Sequence, residues 1–343
     1  GGGGGGGVTR IQNVTLLTTQ ETQALPPQLM ERSLEIPATR GSDNVDPVSP
    51  VAEAITAFPH PQPALIGVKK ELIKYKRALD GLELSGMLYT PAGYDAATDG
   101  PLPTLLWAYP REYKSAASAA QVNGSPHKFI LVPKTSPLLW LARGYAVLDN
   151  PSMPIVGEDG SEENDKFVEQ LVANAEAAVE EVLRLGVAEP HRIAVGGHSY
   201  GAFMATNLLA HSRLFQAGIG RSGAYNRLLT PFGFQSEERT LWEAPEVYMK
   251  MSPFANADKI DAPLLLLHGA EDNNPGTLPL QSERLYSALK GLGKESRLVM
   301  LPLESHSYQA RESVLHMIRE MDDWLTKHLS KDAKTASNDK GTA

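Results

Sequence analysis

The clearest chemistry in this sequence belongs to a serine flanked by glycines. Ser199 stands in the run Gly197-His198-Ser199-Tyr200-Gly201. The β-branched residues before this run are typical of a buried parallel strand, and the apolar residues after it recur at helical spacing. A serine at a tight turn from strand to helix presents its hydroxyl as a nucleophile, and the Tyr200 N–H then points toward a developing oxyanion. The alternative is a chance match, since glycine and serine are common residues.

A serine nucleophile of this kind needs an acid and a histidine, which follow it in that order in the α/β-hydrolase fold. The acid should lie just past a strand, and Asp272 follows the apolar run 263–267, with Glu271 as the alternative. The histidine should follow the next strand, where His306 lies in a predicted loop. In this arrangement Ser199 attacks a carbonyl, His306 accepts its proton, and Asp272 holds the imidazole tautomer.

Other histidines near these motifs have simpler interpretations. His316 competes with His306, but it lies in a predicted helix, where a core or surface histidine is the ordinary explanation. His268 precedes the acid and is predicted to be a turn residue, whereas His198 is predicted to pack under the serine turn. The sequence contains no Cys/His cluster that suggests a metal, and the expected chemistry needs no cofactor.

The surrounding elements predict an α/β-hydrolase fold, with a mostly parallel central sheet and helices on both faces. A hairpin with Asp80-Gly81 at its turn opens the pattern. Near-continuous apolar strands and amphipathic helices then alternate along the chain. We predict strands over 103–109, 145–148, 192–195, 217–220, 263–267 and 296–301, and helices over 164–185, 202–211, 278–290 and 310–329.

Composition narrows the class of protein. The 343 residues are 42% hydrophobic and 21% charged, which is typical of a soluble globular chain. The net charge of −8 argues against nucleic acid or an anionic membrane as partner. The absence of cysteine excludes disulfides, thiolate zinc sites and a cysteine nucleophile, and it fits a reducing compartment. No apolar run reaches the roughly 18 residues that a membrane helix needs, and no signal or transit peptide is visible.

The chain divides into three predicted segments. Residues 1–57 open with seven glycines and continue with polar and Pro-rich sequence, including a loop predicted over 41–50. This segment is too short and too polar to form its own core, so we interpret it as a linker or the remnant of a larger domain. Residues 58–329 form the predicted catalytic domain, and residues 330–343 form a polar tail predicted to be disordered.

Longer motifs surround the candidate residues. They are Gly196-Gly197-His198-Ser199-Tyr200-Gly201-Ala202-Phe203-Met204, Arg221-Ser222-Gly223-Ala224-Tyr225-Asn226-Arg227, Thr230-Pro231-Phe232-Gly233-Phe234, His268-Gly269-x-x-Asp272-Asn273-Asn274-Pro275-Gly276 and Glu304-Ser305-His306. Together they resemble the prolyl oligopeptidase family of serine peptidases, and within it the plant and algal chloroplast glutamyl endopeptidases. The likeness runs from about residue 58 to residue 329.

This resemblance implies a serine endopeptidase that acts on peptides or unfolded proteins in the chloroplast stroma. Members of the family carry a β-propeller before the hydrolase domain, so residues 8–57 could be its last strands. The resemblance also implies that the Tyr109 hydroxyl is a second oxyanion donor, whereas the alternative is an aromatic residue of the core. The family pattern has glycine after the histidine. Ser307 stands there in this chain, and it would strain the loop if its φ were positive.

A peptidase that cuts after glutamate must hold a carboxylate in a partly desolvated pocket, which requires a cation. In the family, the segment after the strand that follows the serine helix lines this pocket. Arg227 is therefore the first candidate, Arg221 the second and Arg239 the third. The alternative for Arg227 is an ion pair with Glu237 or Glu238.

Two other functions are compatible with the same fold. A small-ester hydrolase would favour an apolar acyl pocket and a His-Gly-Gly-Gly oxyanion motif, which the sequence lacks. A catalytically inactive hydrolase-fold module would keep the fold without the chemistry. The sequence carries no signal for an oligomeric state.

Overall fold

The computed structural model describes residues 11–37, 51–122, 124–157 and 161–330. The glycines at the amino end, the loop predicted over 41–50 and the tail beyond residue 330 lie outside these ranges. Contacts divide the chain into two units, one with the described residues up to Ile66 together with Ser125–Leu131, the other with Gly67–Gly124 and the residues from Val132 onward. The division thus falls between residues 66 and 67, where the sequence suggested 57 and 58.

The first unit contains a small antiparallel sheet. Its strands are β1 (Ile11–Gln20), β2 (Gln28–Pro37) and β3 (Val51–Ala54), in the order β1-β2-β3. The pairing of Gln20 with Gln28 closes the first hairpin. Three antiparallel strands fit the last strands of a propeller, and that origin stays a prediction.

In the described part of the second unit there are ten strands, of which eight form one sheet. They are β4 (Lys69–Lys76), β5 (Glu83–Thr90), β6 (Leu102–Trp107), β7 (Arg111–Tyr113), β8 (Ala146–Asp149), β9 (Pro154–Val156), β10 (Ala188–His198), β11 (Ala217–Arg221), β12 (Leu264–Gly269) and β13 (Ser296–Leu301). The sheet order is β13-β12-β11-β10-β6-β8-β5-β4, and β7 pairs with β9 apart from it. Only the β8–β5 and β5–β4 pairs of this sheet are antiparallel.

Among the described residues, six α-helices lie between strands of this unit and a seventh follows the last strand. They are α1 (Ala96–Asp99), α2 (Ala116–Ala119), α3 (Phe167–Arg184), α4 (Tyr200–His211), α5 (Pro245–Met251), α6 (Leu280–Gly291) and α7 (Arg311–Leu329). Short 3₁₀ helices cover Pro63–Leu65, Pro137–Arg143, Glu163–Lys166, Arg227–Leu229 and Pro253–Lys259.

The mostly parallel sheet covered on both faces confirms the predicted α/β-hydrolase architecture. One apolar layer lies between the sheet and α3, α4 and α6, and a second lies under α7 and Pro137–Arg143. The four leucines of β12 are fully buried, and each contributes roughly 1.5–3 kcal/mol to folding. β10, β11, β12 and β13 lie side by side and run parallel, so their carboxyl ends meet at one edge of the sheet.

The long periodic elements fall close to their predicted bounds, and the predicted hairpin is confirmed by the pairing of Lys76 with Glu83. Within the second unit, the elements without a sequence signal are the short ones, namely β7, β9, α1, α2 and α5, whereas β1 and β2 of the first unit were suggested only by the family resemblance. Each of the short elements spans at most seven residues, which is too short for an apolar periodicity to develop.

Candidate active site

Ser199 occupies the turn between β10 and α4. Its backbone has φ 58° and ψ −120°, a strained conformation for a residue other than glycine. The Ser199 N–H donates to the carbonyl of Arg221 at 2.8 Å. A Cβ on Gly197 would overlap the backbone of Gly201, and one on Gly201 would overlap the carbonyl oxygen of Ala108. The predicted tight turn is therefore confirmed, and both glycines are required by close backbone approach.

Asp272 and His306 come together from the loops after β12 and β13. The Asp272 Oδ2 and His306 Nδ1 atoms are 2.8 Å apart, with the carboxylate fully buried and the imidazole 24% exposed. The Asn274 N–H donates to Asp272 Oδ1 at 3.0 Å. Glu271, the alternative acid, is exposed, and its N–H donates to a loop carbonyl. Of the two carboxylates, the structure brings only Asp272 to the histidine.

The structure corrects one histidine prediction. His268 is not a turn residue, because it lies within the buried strand β12 and its Nε2 lies 3.2 Å from Asp272 Oδ2. His198 is the last residue of β10, and its ring lies beside the candidate histidine, with 4.8 Å between the His198 and His306 ring centroids. Burial and the nearby Arg221 and His306 lower the pKa of His198 to about 3, so the ring is neutral.

His316, the competing histidine, lies within α7 as predicted, where its Nε2 is 3.5 Å from the Glu320 carboxylate. The possible strain at Ser307 does not arise, because this residue is not among those with positive φ. In the same loop, Leu303 has a φ of 60°. The residue with positive φ in this loop is therefore Leu303, three positions before His306, and not the residue after the histidine.

The two predicted oxyanion donors, Tyr200 and Tyr109, both lie next to the turn that holds Ser199. Tyr200 is the first residue of α4, so its N–H has no carbonyl of the helix to donate to. Its buried hydroxyl donates to Glu112 Oε1 at 2.6 Å. Tyr109 follows β6 and packs edge-on against the Tyr200 ring, with centroids 5.7 Å apart. It is 38% exposed and shares a hydrogen bond with the Gln235 side chain, so it is more than a core aromatic.

A cavity of about 400 Å³ opens next to Ser199, and Arg227 lines it. The Arg227 side chain is 3% exposed, and its guanidinium lies 4.2 Å from the Phe203 ring centroid and 4.1 Å from that of Phe234. Its Nε has no hydrogen-bond partner, and none of the ion pairs within the described ranges includes it. Burial lowers the pKa of Arg227 to about 10, so it is still a cation at neutral pH.

The alternative for Arg227, an ion pair with Glu237 or Glu238, is not found among the described residues, and Glu237 binds Arg239 instead. Arg239 Nε lies 2.7 Å from Glu237 Oε1, and its Nη1 lies 2.8 Å from Asp165. Those contacts leave Arg239 already paired. Arg221 stacks on the Trp107 ring at 4.4 Å and donates to the Thr135 carbonyl at 2.8 Å. Neither residue lines the cavity beside Ser199.

Sequence reasoning missed three residues of this region. Glu112, on β7, accepts the Tyr200 hydroxyl, and burial raises the pKa of its carboxyl. Thr277 has its hydroxyl beside both Asp272 and His306. Their only sequence signal was proximity, Thr277 standing five residues after Asp272 and Glu112 three after Tyr109. Phe232, 78% exposed at the lip of the cavity, had been noted only as part of a motif.

The described residues carry neither of two other kinds of site, a metal site or a membrane-spanning helix. In the ranges that the structure covers, no three His, Cys, Asp or Glu side chains are grouped so as to hold a metal ion. None of the helices in those same ranges is both long and apolar enough to cross a membrane.

Known proteins share both sequence and fold with this chain. A model described as the prolyl oligopeptidase family matches residues 163–332. The chain is 60% identical over 286 residues to a probable chloroplastic glutamyl endopeptidase of Oryza sativa subsp. japonica, covering 83% of this chain and 30% of that protein. It is 61% identical over 277 residues to a protein of the same name from Arabidopsis thaliana, covering 80% and 29%. The chain thus spans about 30% of the length of these curated relatives.

A solved structure shows the same architecture. Acylaminoacyl peptidase of Pyrococcus horikoshii matches with a TM-score of 0.63 at 23% identity, over 92% of this chain and 48% of that one. At this identity the likeness supports the fold alone.

Proposed function

Because the chain carries a domain of the prolyl oligopeptidase family of serine peptidases, we propose that it hydrolyses peptide bonds on the carboxyl side of glutamate. The observation that carries this proposal is a buried, unpaired arginine, Arg227, in the same cavity as Ser199. Relatives named glutamyl endopeptidase, 60% and 61% identical to this chain, support the same specificity.

In the proposed reaction, Ser199 Oγ attacks the peptide carbonyl carbon while its proton passes to His306 Nε2. The C–N bond then breaks, and His306 returns that proton to the departing amine, which leaves an acyl-enzyme ester on Ser199. Water then attacks the ester carbonyl carbon while its proton passes to His306. The bond between this carbon and Ser199 Oγ breaks, the peptide leaves with a new carboxyl end, and His306 returns the proton to Ser199 Oγ. Asp272 stays ionised and accepts the Nδ1–H of His306, which leaves Nε2 as the base.

The carbonyl oxygen becomes an anion in both steps. The Tyr200 N–H and the Tyr109 hydroxyl are the proposed donors to it. Each such donor typically lowers the barrier by roughly 3–4 kcal/mol, because it is already oriented toward the place where charge develops.

Arg227 is the proposed partner of the substrate glutamate. Burial of this guanidinium is costly, and apart from the electrostatic attraction of Glu112 it forms no ion pair within the described ranges. A glutamate side chain in the cavity would supply a directly bound counter-charge. The planar guanidinium can bind a carboxylate through two hydrogen bonds, whereas a glutamine side chain offers one neutral acceptor. This difference is the proposed basis of the preference for glutamate.

Peptides and unfolded proteins are the proposed substrates, and the chloroplast stroma is the proposed location. Both rest on the names of relatives that are about three times as long as this chain. The remainder of those longer proteins would include the propeller that restricts access to extended peptides.

Cleavage-site profiling on a peptide library tests the proposed function. Cuts should follow glutamate, and Ser199→Ala should make none. A small phosphonate that modifies active serines separates the alternatives. Labelling of Ser199 without peptide cleavage would favour an ester hydrolase, and no labelling of folded protein would favour an inactive module.

A further inference from the structure

Thr277 connects the candidate catalytic loop to the core at three points. It follows Asp272 in the loop after β12 and is only 5% exposed. Its hydroxyl lies 3.2 Å from Asp272 Oδ2 and 3.0 Å from His306 Nδ1. Its carbonyl oxygen lies 2.7 Å from His268 Nε2. Among the described residues of this loop, no other side chain forms hydrogen bonds to both Asp272 and His306.

The carbonyl contact fixes the protonation of His268. A carbonyl oxygen can only accept, so Nε2 of His268 carries the hydrogen. Nδ1 of the neutral ring then accepts from the Ser282 hydroxyl, which lies 2.6 Å away on α6. Burial lowers the pKa of His268, in keeping with a neutral ring. The His268 ring is thus fixed by two hydrogen bonds, one from the Ser282 hydroxyl and one to the Thr277 carbonyl, and the second of these holds the Thr277 backbone in place.

The hydroxyl contacts are equally constrained. The Asp272 carboxylate can only accept, so the Thr277 hydroxyl donates its hydrogen to Oδ2. Its oxygen lone pairs then face His306, and they accept from the Nδ1–H that also points to Oδ2, 2.8 Å away. The three contacts form a closed triangle that is satisfied only when Nδ1 of His306 is protonated. In the neutral imidazole, this leaves the Nε2 lone pair free.

We propose that Thr277 is a positioning residue, whose hydroxyl holds the His306 ring and the Asp272 carboxylate in the orientation that makes His306 Nε2 the base for Ser199. This inference rests on the proposed function, since it assigns a task within the same catalytic unit. Thr277 acts through the histidine and touches no reacting atom, so its loss should slow the chemical step without weakening substrate binding.

The test compares Thr277→Val, which removes the hydroxyl at nearly constant volume, with Thr277→Ser, which keeps it. Both are assayed in the full chain on a glutamyl peptide. Thr277→Val should lower kcat on the order of tenfold with KM changed less than twofold, because hydrogen bonds to charged groups are among the stronger ones. Thr277→Ser should retain most of the wild-type kcat. The phosphonate labelling rate of Ser199 should fall by the same factor as kcat.

Thr277 also borders the cavity, so the glutamyl-to-glutaminyl ratio serves as an internal control. The ratio should be unchanged in Thr277→Val. If valine prevents folding, Thr277→Ala removes the hydroxyl without adding a methyl group and should show the same split. Equal kcat in the valine, serine and wild-type proteins would overturn the proposal, as would a loss confined to KM. Activity that survives Ser199→Ala would instead overturn the proposed function, so the two failures are distinguishable.

Discussion

The guanidinium of Arg227 lies 4.2 Å from the centre of the Phe203 ring, on the helix that begins directly after Ser199. This cation–π contact partly compensates for the loss of water around the charge. An aromatic ring attracts the cation but, unlike a carboxylate, does not use up the N–H donors of the guanidinium. The arginine is therefore held in place as a cation while its capacity for hydrogen bonding remains open toward the cavity.

Arg227→Gln should remove most of the preference for glutamate over glutamine at the cleavage site. A partly buried charge pair contributes about 2–4 kcal/mol, which corresponds to a loss of roughly 30-fold to 1,000-fold in kcat/KM for the glutamyl peptide. The measurement is the ratio of kcat/KM on matched glutamyl and glutaminyl peptides, with phosphonate labelling of Ser199 as the check on folding.

Arg239→Gln is the matched control, because that arginine is paired with Glu237 and Asp165 and lies away from the cavity lining. Its glutamate preference should equal that of the wild type. A preference that survives Arg227→Gln but is lost in Arg239→Gln would move the specificity residue to the third candidate.

Asp272→Asn should lower kcat by several orders of magnitude, on the order of 10⁴, because an amide can hold the wrong histidine tautomer. Glu271→Gln is its matched control in the same loop, and its exposed side chain predicts near-wild-type turnover. Steady-state kinetics on one glutamyl peptide compare the two. The reverse pattern, an inactive Glu271→Gln variant and an active Asp272→Asn variant, would show that the acid is Glu271.

Tyr109→Phe should lower kcat by roughly a hundredfold or more, since it removes one proposed donor to the oxyanion. KM should change little, because the hydroxyl acts mainly on the charged intermediate. Tyr94→Phe is a suitable control, as it removes a hydroxyl that donates to the Gly100 carbonyl at 2.9 Å outside the cavity. Near-wild-type turnover of Tyr109→Phe would take this tyrosine out of the site.

His198 should make the folded state sensitive to acid. Its pKa is lowered from 6.5 to about 3 by burial and by the charges of Arg221 and His306. Between these values the unfolded chain binds a proton that the folded chain does not, so the free energy of unfolding should decrease as pH falls. Urea unfolding at several pH values between 7 and 4 should give a steeper decline for the wild type than for His198→Gln. Parallel declines would mean that this histidine titrates alike in both states.

The sequence could predict the tight turn at Ser199 and the meeting of Asp272 with His306, because each depends on local pattern and chain order. The prediction for Ser199 used the strand before it, the two flanking glycines and the helix after it. The predictions for Asp272 and His306 used only their positions in the loops after two successive strands. The parallel alignment of β10 to β13 then determines that these loops meet, whatever their distance along the chain.

The sequence could not rank the arginines by pairing, because several lie within reach of the same acidic residues. Arg239 stands two residues from Glu237 and binds both of its carboxylate oxygens, at 2.7 Å and 2.8 Å. That local contact engages both carboxylate oxygens of Glu237, so this residue does not pair with Arg227. The same limit applies to His268 and Thr277, whose partners are set by how β12 packs against α6 and by the turn of the loop.

The burial of Arg227 also bears on how ionic strength would affect selectivity. Counterions screen exposed charges over about 8 Å at physiological salt, but they hardly reach a side chain that is 3% exposed. The desolvation of this guanidinium is completed on folding, before any substrate arrives, so the cavity is preorganised for an anion. A glutamate preference that originates there should stay nearly constant from low to high salt. A preference that originated from the more exposed Arg239–Asp165 pair would fade as salt is added.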